Sequence, residues 1–121
     1  MTCKPCLNYV GATIAEAESL AYYCVMSHYV SATPQYHNHK ELTGVSCMHI
    51  KTRVFPIVLM RYLMFWFLIK QGWKLQAIAT HYGLKDHTSV FHGKQKITET
   101  LSLKHDTDIK DAVLAFIGFV K

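Results

Sequence analysis

Acidic residues are scarce in this chain. Eight Asp and Glu stand against thirteen Lys and Arg, which leaves a formal charge of +5 with neutral histidines. Charged residues make up only 17% and apolar residues half of the 121, which excludes a disordered tail. Glycine (6) and proline (3) are few, and neither an internal repeat nor a low-complexity stretch is present. A collagen-like chain and a repeat array are thereby excluded. No G-x-x-x-x-G-K-S/T phosphate loop occurs, and no run alternates apolar and polar residues as a half-buried strand does. A length of 121 residues excludes a large multidomain enzyme and fits one domain of ordinary size.

What charge there is lies unevenly. Residues 1–50 carry a net −1 and residues 51–121 a net +6. A basic half on a globular composition points to an anionic partner, nucleic acid or membrane surface. The N-terminus Met1-Thr2-Cys3-Lys4-Pro5-Cys6 lacks the basic segment and apolar run of a secretory signal, so a reducing, cytoplasmic setting with free thiols is expected. Val54 to Ile69 is almost wholly apolar, but its sixteen positions fall short of a bilayer span, and Arg61 sits at its centre. A helix buried on most sides by its own domain accounts for it better.

The chain reads as all-α. Thr13-Ile14-Ala15-Glu16 has the form of a capping box, and Ile14, Ala17, Ala21, Cys24, Val25 and Tyr29 keep helical spacing. These predict a helix over about 14–32, closed by Thr33-Pro34. Gln35 to Lys40 is expected to open a short second helix that ends at Gly44, and Ser46 to cap a brief turn through Ile50. Arg53 to Gln71 is the expected central helix, ended by Gly72. Leu75, Ile78, Ala79 and Tyr82 predict a short helix stopped by Gly83. Asp86 is placed to cap a helix over about 87–100, and Asp106 or Thr107 to begin a closing one.

The pair of helices joined by Gly83-Leu84-Lys85 is a helix-turn-helix candidate. At about 100° per residue, Val90, Gly93, Ile97 and Leu101 share one face of the second helix. Thr88, His92 and Gln95 lie opposite, with Phe91 beside them. The first set suits packing, with Gly93 permitting close approach. The second offers the short donors, acceptors and apolar surface that a major-groove reader needs. Lys74, Lys85, Lys94 and Lys96 flank it as phosphate contacts.

Leu75-Gln76-Ala77-Ile78-Ala79 and the stretch from Tyr82 to Ile97, with Lys85-Asp86-His87-Thr88-Ser89-Val90 at its core, resemble the C-terminal DNA-binding domain of the bacterial replication initiator DnaA. Lys51-Thr52-Arg53 and Arg61-Tyr62-Leu63-Met64 are similar to the start of that domain's long helix, and the likeness covers about residues 44–100. With it the chain reads as a compact all-α bundle of six or seven helices similar to that Trp-repressor-like domain, in which 44–121 is the DnaA-like helix-turn-helix domain and 1–43 a helical extension. The likeness implies that Arg61 reaches the minor groove, that Leu75 and Gln76 lie by phosphate, and that Lys85, Asp86, His87, Thr88 and Ser89 read base and backbone, with His92 one turn on. The family's element is a nine-base-pair duplex, the DnaA box. Gln76 stands in place of the usual proline, Leu84 of a glycine and Gln95 of a frequent arginine.

These readings together lead us to expect a regulatory or replication-accessory protein that binds double-stranded DNA, of phage or mobile-element type, with no ATPase module, cofactor or enzymatic activity. Two other classes compete. One is a membrane-associated helical protein using residues 54–69. The other is a small zinc or thiol protein built on Cys3-x-x-Cys6, with Cys3 and Cys6 as weak metal candidates. His37-Asn38-His39 reads as solvated loop, and Phe65-Trp66-Phe67 as core. The further apolar face Leu20, Tyr23, Met26, Val30 is a candidate surface for pairing two chains.

Overall fold

A computed structural model describes residues 13–105 and 107–120. Among them are five α-helices and no strand: α1 Ile14–Val25, α2 Phe55–Lys70, α3 Leu75–His81, α4 Thr88–Leu101 and α5 Asp108–Val120. Cys3 and Cys6 lie outside the described residues.

The capping box at the start of α1 is complete. Glu16 N donates to Thr13 Oγ1 at 3.0 Å, and Thr13 N donates to Glu16 Oε1 at 2.8 Å. Such a pair satisfies two first-turn donors and contributes about 1 kcal/mol. The expected helix to residue 32 is only partly α-helical: Met26–Val30 continues as a π-helical turn. Thr33 ends it, its Oγ1 donating to the Tyr29 carbonyl at 2.7 Å before Pro34.

The short helix expected from Gln35 to Gly44 is only a 3-10 segment, Pro34–Tyr36, and the brief turn expected through Ile50 is a 3-10 segment, Val45–His49. The first offers no buried residue to hold a longer helix down. The second begins at Gly44, so Ser46 lies inside the turn and does not cap it. Residues 35–40 are instead held by their side chains. His37 Nε2 meets the Ser31 carbonyl at 3.1 Å, and Glu41 N donates to His39 Nδ1 at 3.3 Å.

Helix α2 forms the centre. Nine of its sixteen residues are buried, including Ile57, Leu63, Phe65, Phe67 and Leu68. It packs against α1, α3, α4 and α5. A helix apolar nearly all round has to be enclosed in this way. No helix among the described residues is long and apolar enough to cross a membrane. Gly72 adopts φ +95°, a left-handed turn that releases the chain from α2 toward α3.

The N-terminal helix belongs to this same core: Ala17, Ala21, Cys24 and Val25 are fully buried with the α2 side chains. Cys24 and Cys47 are buried free thiols. Burial raises Cys24 from 9.0 to about 11 and also pushes Cys47 up, so neither is a ready thiolate. Of the face offered for chain pairing, Val30 is buried and Leu20 and Met26 pack partly against the core, while Tyr23 is 58% exposed.

Candidate nucleic-acid interface

The seating of α4 decides what it presents. Val90, Gly93, Ile97 and Thr100 are buried, and Leu101 is half-buried, which is the packing face expected from the sequence with Thr100 added. A Cβ on Gly93 would lie 2.6 Å from Tyr62 Cδ1 and 2.7 Å from Phe65 Cδ2. Only a glycine lets α4 sit this close to α2.

The other face is open. Thr88, Ser89, Phe91, His92, Gln95 and Lys96 are all exposed, and Phe91 keeps 45% of its surface. An exposed phenylalanine among short polar groups is the arrangement that base edges and a thymine methyl call for.

The turn into α4 is tied locally. Gly83 takes φ +72°, and Asp86 Oδ1 accepts from Thr88 N at 2.8 Å. The cap position proper is His87, whose side chain makes no capping bond. Asp86 therefore acts one residue earlier than expected, as an Asx turn that orders the entry. His87 is left exposed beside it.

Between α4 and the start of α2 lies a cleft of about 470 Å³, lined by Arg53, Arg61, Tyr62, Thr88, Ser89 and His92 among others. Its floor is aromatic: Tyr62 meets His92 edge-on with centroids 6.0 Å apart, and Phe65 lies beyond at 6.1 Å. Arg61 does not extend freely outward. Its Nη2 donates to the Thr52 carbonyl at 2.8 Å and the Ile50 carbonyl at 3.2 Å, and its buried Nε has no partner. Desolvation lowers its pKa, opposed by the nearby Tyr62 and Cys47. The side chain thus fixes the 50–54 segment at the cleft rim while keeping its charge there.

Arg53, which the sequence reading gave no role of its own, is the exposed cation of the cleft. Its position just before a helix with Pro56 in the first turn was the available signal.

Lys74, Lys85 and Lys96 are exposed and Lys94 half-buried. The sole ion pair among the described residues is His49–Glu18, so none of these lysines is held in a described ion pair. Gln76 is exposed at the start of α3, whereas Leu75 turns toward the core. The structure thus brings Arg61, Thr88, Ser89 and His92 together in one cleft. Gln95 and Lys96 lie further along the open face of α4.

Sequence reasoning missed one further constellation. Glu18 is only 9% exposed, and its Oε2 accepts from the Tyr82 hydroxyl at 2.7 Å and meets His49 Nε2 at 3.0 Å. Its signal was a carboxylate within the apolar stripe of α1, next to Ala17 and one turn from Ala21. Comparison of the chain with family models, with curated proteins and with solved structures gives no match.

Proposed function

We propose that this chain binds double-stranded DNA, with α3 and α4 as a helix-turn-helix and the open face of α4 reading base edges in the major groove. The observation that carries this reading is the exposed row Thr88, His92, Gln95 and Lys96, opposite a core face that glycine packing holds tightly on α2. Spacings of three and four residues on one helix set neighbours side by side along one face.

Lys85, Lys94, Lys96, Lys74 and Gln76 supply contacts to phosphate, which set affinity and register without reading sequence. Asp86 orders the turn that aims Thr88 and Ser89, while His87 and His92 border the bases. Arg53 and Arg61 provide the positive wall of the cleft against the adjoining strand, Arg53 directly and Arg61 from its bonded position. The likeness to the DnaA C-terminal domain makes a DnaA-box-like duplex the first element to try, and a regulatory or replication-accessory role the setting.

Selection of bound duplexes from a random pool tests the proposal. Enrichment of one short duplex motif supports sequence reading, and a DnaA-box-like winner supports the borrowed specificity. Recovery of no motif, with equal retention of unrelated duplexes, overturns base reading by α4.

A further inference from the structure

We propose that Glu18, His49 and His81 form a binding site for a divalent first-row metal ion, zinc being the best fit. The three residues come from α1, the 3-10 segment Val45–His49 and α3. One ligand atom from each lies within 4.8 Å of the others. Two imidazoles and a carboxylate are a donor set suited to zinc, with a fourth position left to solvent.

Charge supports the assignment. Glu18 is a buried carboxylate, and its one ion-pair partner among the described residues is His49, which carries charge only when protonated. A buried carboxylate without a permanent cation is costly. A divalent ion bound to the carboxylate and to neutral His49 supplies that charge.

The surroundings are built to orient these groups. The Tyr82 hydroxyl donates to Glu18, as an outer-shell donor does for a metal-bound carboxylate. The His49 ring stacks on Tyr82 with centroids 4.9 Å apart and planes 12° apart. His81 stands edge-on to Tyr82 at 4.8 Å and to Trp73 at 5.6 Å. Tetrahedral zinc needs ligand atoms about 3.4 Å apart. His49 Nε2 and Glu18 Oε2 already stand 3.0 Å apart, so metal loading requires the exposed His81 ring to turn inward. Bound metal would fasten α1 to α3, the helix that precedes the reading helix.

The test uses the whole metal-free chain with Cys3→Ser and Cys6→Ser, so that the N-terminal thiols contribute nothing. Zinc is titrated by calorimetry and cobalt by visible absorption. One equivalent should bind, with cobalt bands in the visible and no intense near-ultraviolet thiolate band. At a hundredfold excess over Kd the Tm should rise by on the order of 10 °C.

His81→Ala, a surface change, and Glu18→Gln should each weaken binding by at least about tenfold. His105→Ala, at another exposed histidine, should leave it unchanged. Absence of stoichiometric binding, or binding that His81→Ala does not weaken in a chain still folded by circular dichroism, overturns the proposal.

Discussion

The Tyr82 hydroxyl donates to Glu18 Oε2 at 2.7 Å, joining residues 64 positions apart and tying the end of α3 to the first helix. Tyr82 is 7% exposed, so this is a buried bond to a carboxylate. Tyr82→Phe keeps the ring and removes the donor. It should destabilise the fold by about 1–3 kcal/mol, read as a lower urea midpoint at unchanged m-value. An unchanged midpoint would mean that the bond contributes nothing net.

Gly93→Ala should cost about 1–3 kcal/mol although alanine is the better helix former, because its methyl would overlap Tyr62 and Phe65. Thermal melting measures the loss. Tyr62→Ala in the same chain should restore part of it, and strictly additive effects in that double-mutant cycle would count against steric contact as the cause.

Thr88→Ala should lower affinity for the selected duplex by about 1–3 kcal/mol and leave binding to random duplex unaltered. Lys85→Ala should weaken both equally and reduce the salt-dependence slope by about one, as loss of a single phosphate contact does. Titrations at several salt concentrations separate the two behaviours. Equal losses for Thr88→Ala on both duplexes would remove it from base reading.

Arg61→Met retains much of the buried stem but leaves the Ile50 and Thr52 carbonyls without their donor. We expect a loss of about 1–3 kcal/mol in stability, with faster amide exchange confined to residues 50–54. A variant as stable as its parent but weaker on DNA would assign the guanidinium to the ligand instead.

Alkaline pH should destabilise the chain through its buried thiols. Cys24 is raised from 9.0 to about 11 by desolvation, and Cys47 is shifted in the same direction. The folded chain keeps these protons where the unfolded chain has lost them. The stabilisation is therefore complete below about pH 9 and is lost by about pH 11, a fall on the order of 2–3 kcal/mol from Cys24. Burial, followed by the Glu18 bond and charge, also raises the Tyr82 pKa and adds to the slope. Denaturant titrations across this window should show a shallower fall for Cys24→Ala.

Helix identity was legible in the sequence wherever an apolar stripe and a terminator coincided. The Thr13–Glu16 box, the Gly72 and Gly83 stops and the Val90–Gly93–Ile97 face all lie where spacing alone puts them. The segment 26–50 was less legible. The π turn after Val25 and the 3-10 turns depend on tertiary packing, such as Tyr29 against Phe55 with centroids 5.4 Å apart, which periodicity does not register. Within the candidate site, the outward face of α4 could be read from a helical projection. The internal hydrogen bonds of Arg61 and the joining of Glu18, His49 and Tyr82 could not, because they depend on the return of distant segments to one place.

Gly93 gives α4 a fulcrum on α2. Thr88 stands five residues to one side of it, about 7.5 Å along the axis, and Gln95 two residues to the other. A change in ring size at Tyr62 or Phe65 should therefore alter how α4 sits at that contact. If α4 reads DNA as proposed, its target preference would be open to tuning from beneath, by residues that never meet the duplex.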